Sequence, residues 1–167
     1  HITDLDGRRW LDFSTCGIGA SLLGFNDDDV SEAVIKTVRD GSFSTLNPAE
    51  EVELAERLCA IHPWAKYARF ARCGGETAAV AIRIARAATE RSKVIISGYH
   101  GWQDWYLAAN LENAAALGEM WLPGLSPYGV PQELRGTGIP CLHGDFTRLQ
   151  QILREQGNAI AAIIAEP

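Results

Sequence analysis

The chain has 167 residues, 47% of them hydrophobic and 22% charged, the balance of an ordinary globular protein with one sizeable core or a share in a larger one. Fifteen basic residues against twenty-one acidic ones give a net charge of −6 with no run of Lys or Arg, which argues against nucleic acid and anionic membrane as partners. No apolar run approaches the roughly 20 residues that a membrane span requires, and the opening His1-Ile2-Thr3-Asp4 is no signal sequence; starting without Met, the chain reads as cut from something longer.

In chain order, Ile2 to Phe13 is predicted to be a β-hairpin around the Asp6-Gly7 turn dipeptide, with Trp10, Leu11 and Phe13 as its apolar strand. Cys16 to Gly24 is glycine-rich and small, and reads either as a loop lining a site or as a plain connection. Asn26 or Asp27 caps a helix running through Asp40 and stopped by Gly41, because Val30, Ala33, Val34 and Val38 recur at helical spacing. Lys36 falls on its solvated face. Gly41 to Leu46 is a turn-rich connector. In Asn47-Pro48-Ala49-Glu50 the pattern is a cap, a Pro at the first helical position and an acid three residues after the cap, so a helix is expected from there to Ile61, ending before Pro63.

The centre of the chain is predicted as a βαβ unit: a strand from Tyr67 to Ala71, a loop with adjacent Gly74 and Gly75, a helix from Glu76 to Ala88, and a buried strand from Lys93 to Ser97. Two glycines without Cβ let the backbone come close to a ligand, and the helix that follows turns its free N–H groups and positive dipole end towards them. The loop is therefore either an anion site, most often for phosphate, or a simple strand-to-helix turn. Neither G-x-x-x-x-G-K-[ST] nor G-x-G-x-x-G is present, which disfavours a nucleotide-binding reading. Tyr99-His100-Gly101-Trp102 follows the second strand, at the end of a parallel sheet where such folds bind ligands, and an aromatic ring and an imidazole there suit a flat phosphorylated heteroaromatic cofactor. The helix between the strands carries its charges Glu76, Arg83, Arg86 and Glu90 on a narrow face, so it is expected to be nearly buried, with the two arginines in structural ion pairs.

Beyond Trp105 the chain is irregular. Leu117 to Pro140 is dense in Gly and Pro with no sustained period, and reads as a long functional loop over a site. Asp145 caps a last helix ending at Gly157, and Ala159 to Ala165 (AIAAIIA) reads as a strand buried on both faces of a parallel sheet. The four cysteines, Cys16, Cys59, Cys73 and Cys141, form no C-x-x-C and no zinc spacing, so no metal site is expected and a reducing cytoplasm is the simplest compartment. No base is evident beside Cys73 that would make it a nucleophile.

Three stretches together carry a resemblance: Phe70-Ala71-Arg72-Cys73-Gly74-Gly75-Glu76-Thr77-Ala78, Ala81-Ile82-Arg83-Ile84-Ala85-Arg86 and Tyr99-His100-Gly101-Trp102. Over essentially its whole length the chain resembles the class III aminotransferases, pyridoxal-phosphate (PLP) enzymes of fold type I, with the glutamate-1-semialdehyde aminomutase branch nearest. The resemblance implies an α/β fold: an N-terminal segment (1–50) followed by the first part of the large, mostly parallel-sheet cofactor domain (51–167). It implies PLP as cofactor, a small-molecule amino substrate and a homodimer for the full-length protein. Cys73, Gly74 and Gly75 match the family's phosphate loop, Tyr99 the aromatic that stacks on the pyridine ring with His100 beside it, and Glu166 the family's Glu-Pro, either in the pocket or only supporting it. Two departures stand out: Cys73 replaces a usual polar residue, and Gly75 lacks the family's hydroxyl.

PLP chemistry needs a lysine for the Schiff base and a carboxylate on the pyridine nitrogen. The three lysines, Lys36, Lys66 and Lys93, are not placed for this role, and in the family both groups follow the Glu-Pro, so the catalytic lysine is expected beyond Pro167. The function expected is PLP-dependent amino-group transfer, between two substrates or within one molecule, with this chain as an N-terminal part that is inactive alone. The alternative is a non-catalytic relative that keeps the phosphate loop as a ligand-binding module.

Overall fold

A computed structural model of the chain describes residues 1–14, 18–41, 45–113, 116–118 and 126–166. The chain forms two compact units, His1–Ala68 and Arg69–Pro167.

The first unit opens with the expected hairpin, in which β1 (Ile2–Thr3) pairs antiparallel with β2 (Arg9–Trp10). Asp4 organises it. One carboxylate oxygen accepts from the backbone N–H groups of Asp6 and Arg8, and the other accepts from the indole Nε1 of Trp10 at 2.9 Å. These donors, the indole foremost, hold the Asp4 carboxyl below the usual carboxylate range. Gly7 closes the turn at φ +80°, a conformation that a Cβ would strain. Helix α1 (Asp28–Gly41) is capped by Asp27, which accepts from the Val30 N–H, while Asn26 accepts from the Ser31 hydroxyl; both candidate caps are thus engaged. Lys36 is exposed on it.

Helix α2 (Ala49–Ile61) starts one residue later than the capping pattern suggests. Pro48 keeps an extended ψ of 158° and becomes the N-cap itself, so no side-chain cap forms. The helix ends as expected: His62 N–H closes on the Leu58 carbonyl, and Pro63 next to it has no N–H to continue. Of the glycine-rich stretch from Cys16 to Gly24, residues 16 and 17 lie outside the described residues, as do residues 42–44 of the connector after Gly41. Residues 18–23 form turns, with Gly24 N–H bonded to the Ser21 carbonyl.

The second unit is a three-stranded parallel sheet with helices on both faces. Strand β3 (Lys93–Ser97) is central, flanked by β4 (Gly138–Pro140) and β5 (Ile160–Ala165). Its side chains alternate between two cores. Val94 and Ile96, both at 0% exposure, pack with Ile82 of α3 (Gly74–Thr89) and with Trp105, Tyr106 and Ala109 that follow the strand. Ile95 points the other way, into a cluster with Ile139, Cys141, Ile160 and Ile152 of α5 (Phe146–Gln156). Asp145 caps α5 as expected, accepting from the Arg148 N–H at 2.9 Å.

Five expectations are corrected here. Tyr67 to Ala71 is not a strand: it pairs with no strand of either sheet, and a strand exists only through such pairing. Helix α3 begins at Gly74 rather than Glu76, so both glycines lie in its first turn. It is also far from buried. One side packs on the sheet through Ala78, Ala79 and Ile82, while Val80 (42% exposed) and Ile84 (60%) line, with Phe70 and Ala81, an open apolar depression of about 280 Å³. Arg86 makes no ion pair among the described residues; its Nε donates to the Ser92 carbonyl, and burial pushes its guanidinium pKa down. Lastly, β5 is an edge strand with Ile163 half-exposed, not one buried on both faces.

The stretch from Leu117 to Pro140, of which residues 119–125 lie outside the described residues, is less of a free loop than its composition suggests. Leu117 is buried in the α3-side core, Val130 packs against Ala108 and Leu111, and Gly138–Pro140 is strand β4. At Gly138 a Cβ would press on Ile96 and on Ala109 at 3.2–3.3 Å, so this glycine admits the 3₁₀ turn Ala108–Leu111 against the sheet.

Removing the α5 cap should be measurable: Asp145→Ala is expected to cost about 1 kcal/mol, read as a lower urea midpoint with an unchanged slope, and an unchanged midpoint would show that the cap is dispensable.

Candidate functional site

The candidate site lies where the C-terminal end of β3 meets the N-terminus of α3. The first α-helical bond of α3 runs from Thr77 N–H to the Cys73 carbonyl, so the N–H groups of Gly74, Gly75 and Glu76 point out of the helix end. Cys73 is the N-cap residue, exposed, and its thiol makes no cap bond. Glu76 turns back to accept from the Arg72 N–H at 3.0 Å, and the Thr77 hydroxyl donates to the Cys73 carbonyl at 3.1 Å. The side chains of this turn thus brace the backbone and leave the helix end open towards Gly75.

Opposite stands the loop after β3. A Cβ built on Gly101, which has φ +100°, would lie 3.0 Å from the Gly75 Cα, so the loop comes this close to the helix end only because residue 101 is glycine. Into the notch between them comes the carboxamide of Gln103, whose Cδ lies 2.8 Å from the place of a Gly75 Cβ. Its Oε1 is buried with no hydrogen-bond partner. Sequence reasoning missed Gln103; the Gly101-Trp102-Gln103-Asp104 order carried a hint, since Gln103 precedes the acidic first turn of the short helix α4 (Asp104–Leu107) and is its N-cap.

Tyr99 and His100 are half-buried beside this notch. His100 Nε2 lies 2.9 Å from the Ser97 carbonyl. A carbonyl only accepts, so Nε2 carries the proton and Nδ1 keeps its lone pair in the neutral ring. The Tyr99 ring meets Tyr106 edge-on at 5.9 Å and 86°, and His100 meets the same ring at 6.3 Å and 81°. Tyr106, fully buried, is the post on which both lean, and its hydroxyl donates to the Gly98 carbonyl at 3.1 Å. Burial, and then the charges of Tyr99 and Glu166, push the Tyr106 phenol up to about 12. Glu166 extends the ladder beyond β5, its N–H donating to the Ser97 carbonyl at 3.0 Å, and its side chain packs on Gly98, where a Cβ would stand 2.8 Å from the Glu166 Cβ.

One end of the sheet thus gathers Cys73, Gly74, Gly75, Tyr99, His100 and Glu166, and adds Gln103 and Tyr106. Lys93 stands at the other end of β3, with its Nζ donating to Gln156 Oε1 at 2.6 Å. No group of three or more His, Cys, Asp or Glu suited to a metal occurs among the described residues.

Comparison with known proteins identifies the family to which this α/β architecture belongs. The family model described as aminotransferase class-III matches residues 1–167. The chain is 34% identical to a glutamate-1-semialdehyde 2,1-aminomutase of Desulfovibrio desulfuricans and 32% identical to a 2'-deamino-2'-hydroxyneamine transaminase of Streptomyces kanamyceticus, in each case over 100% of this chain and 38% of the relative. Among solved structures, an omega-transaminase from Sphaerobacter thermophilus superposes with a TM-score of 0.81 at 29% identity, and a transaminase with PLP bound with 0.84 at 27%, each over 99% of this chain and 38% of theirs. The chain belongs to the class III aminotransferase family. It spans about 38% of the length of the relatives it matches.

The Tyr106 post should report its burial through pH. Its folded pKa is raised above that of an unfolded tyrosine, so the unfolded chain gives up this proton first, and stability tied to Tyr106 is intact below pH 10 and lost as pH rises from about 10 to about 12. Tyr106→Phe should cost about 1 kcal/mol at neutral pH for the lost bond to Gly98, and the gap between variant and parent should shrink over that alkaline window. A gap constant to pH 12 would show that the phenol is not buried as described.

Proposed function

We propose that this chain is the phosphate- and ring-binding part of a PLP-dependent enzyme of amino-group transfer, acting between two substrates as a transaminase or within one molecule as an aminomutase. The observation that carries the reading is the open N-terminus of α3 facing the Gly75–Gly101 notch, with Tyr99 and His100 beside it. The residues fit the cofactor: the outward N–H groups of Gly74, Gly75 and Glu76 are donors for a phosphate, the orphaned Gln103 carboxamide is a further polar group awaiting a partner, and the Cβ-free notch admits a group close to backbone. When bound, PLP supplies an electron sink for cleaving a bond at the amino-bearing carbon.

The chain's own residues would hold and orient it. Backbone donors and the helix dipole take the phosphate, so Cys73 contributes its backbone geometry and not its thiol. Tyr99, fixed edge-on by Tyr106, supplies an aromatic surface for the pyridine ring. His100, with its proton committed to the Ser97 carbonyl, offers Nδ1 as an acceptor. Glu166, tied to Ser97 and Gly98, supports that loop and is not assigned to the pyridine nitrogen. The covalent lysine and the ring-nitrogen carboxylate are assigned to the part of the relatives' length that this chain does not span; Lys93 is committed to Gln156. The full-length protein is read as a homodimer working on a small amino compound. Cys59, Cys73 and Cys141 are free thiols, which supports a reducing, cytoplasmic setting, and no helix among the described residues is long and apolar enough to cross a membrane.

In the full-length protein, borohydride reduction after PLP addition should label one lysine stoichiometrically, other than Lys36, Lys66 and Lys93, as mapped by mass spectrometry. Stoichiometric labelling of one of those three with transaminase activity would overturn the assignment. A folded full-length protein that binds PLP without any such label would favour a non-catalytic, phosphate-binding relative of the same fold. Tyr99→Ala should weaken PLP retention by roughly threefold to tenfold, the worth of one ring contact; retention equal to the parent's would remove Tyr99 from the site. Sedimentation of the full-length protein as an active monomer would sink the dimer.

A further inference from the structure

We infer that Gln103 is a side-chain ligand of the anion held at the α3 N-terminus, filling by its carboxamide the place that a residue larger than glycine at position 75 would itself occupy. The inference rests on the PLP reading of the site. Three observations carry it. First, Gln103 is aimed: its backbone is the N-cap of α4 (φ −72°, ψ 158°) and its carbonyl accepts from the Tyr106 and Leu107 N–H groups, so the side chain leaves from a fixed point. Second, its carboxamide is received by two glycines, with the amide atoms lying where the Cβ of either residue would be. Third, neither end of that carboxamide has a hydrogen-bond partner among the described residues, and Oε1 is buried without one.

Gln103 sits beside the outward-pointing N–H groups of α3, with its Oε1 buried and bonded to none of them. Nε2 is the carboxamide atom nearest the place of a Gly75 Cβ, so an anion at the helix end would accept from the outward N–H groups and from Gln103 Nε2 together. Gly75 has no side chain to offer such a bond. Gln103, reaching across from the loop after β3, offers it instead, and couples anion binding at α3 to the start of α4 and so to Tyr106.

Glycine at 75 is then needed for Gln103 and not for the backbone. Its φ is not in the left-handed region, and the three atoms nearest an added Cβ all belong to the flexible end of Gln103. Gly75→Ala should therefore fold normally while evicting the carboxamide, and should copy Gln103→Ala.

The test uses the full-length protein and two probes, PLP and pyridoxal, which differ only in the phosphate. Gln103→Ala and Gly75→Ala should each weaken PLP binding by roughly tenfold to a hundredfold, the worth of one hydrogen bond to a charged group, with pyridoxal binding unchanged. The double variant should be no weaker than the worse single one, and Gln103→Glu should be weaker still because its charge opposes the phosphate. Inorganic phosphate should compete with PLP less well in each variant than in the parent. PLP binding equal to the parent's in Gln103→Ala and Gln103→Glu would overturn the role of Gln103 alone. An equal loss of PLP and pyridoxal would also overturn it, marking the residue as structural. A parent protein that binds neither probe would overturn the reading of the site itself.

Discussion

The second unit depends on the complete burial of β3. A five-residue strand carries Val94, Ile95 and Ile96 at essentially zero exposure, with the side chains split between two cores and both backbone edges hydrogen-bonded, to β4 and to β5. Each side chain of that size, fully buried, contributes about 1.5–3 kcal/mol, and the ladders satisfy the backbone groups that burial strips of water. Nothing in this unit can shift along β3 without breaking one set or the other. The position of Ser97 and of the loop after it is therefore decided by the core beneath them.

From that fixed end the site is assembled by small, mostly backbone, interactions. The Ser97 carbonyl takes two donors, the Glu166 N–H and His100 Nε2. The Gly98 carbonyl takes the Tyr106 hydroxyl, and the Tyr106 ring steadies Tyr99 and His100. Glycines stand wherever two backbones, or a backbone and a side chain, would collide: Gly98 under Glu166, and Gly101 against Gly75. The helix end thus has no side chain at position 75, and the carboxamide of Gln103 from the neighbouring loop lies in the space left free. Only tertiary contact brings the two together, because Gly75 and Gln103 lie 28 residues apart in sequence.

What the sequence by itself determined are the features whose physics is local. The Asp6-Gly7 turn, the Asp27 and Asp145 caps, the stop of α2 before Pro63 and the apolar run Lys93 to Ser97 each depend on a few neighbouring residues, and all are found in place. The helix-end glycines and Tyr99-His100 were legible for the same reason, together with the family likeness of their order. What only the tertiary structure decided is everything that needs a distant partner. Tyr67 to Ala71 has strand composition but pairs with no strand, whereas the Gly- and Pro-flanked Gly138–Pro140 becomes β4 because the Ile96 and Ala109 surfaces accept a residue without a side chain. The face of α3 that carries Val80 and Ile84 looked like core by composition and is open, since burial is set by what packs against a helix and not by its own residues. Tyr106 as a buried post had no signature in the sequence and Gln103 in the notch only the hint of its place before Asp104, because a side chain's reach across a fold is fixed only when the backbone on both sides of the gap is in place.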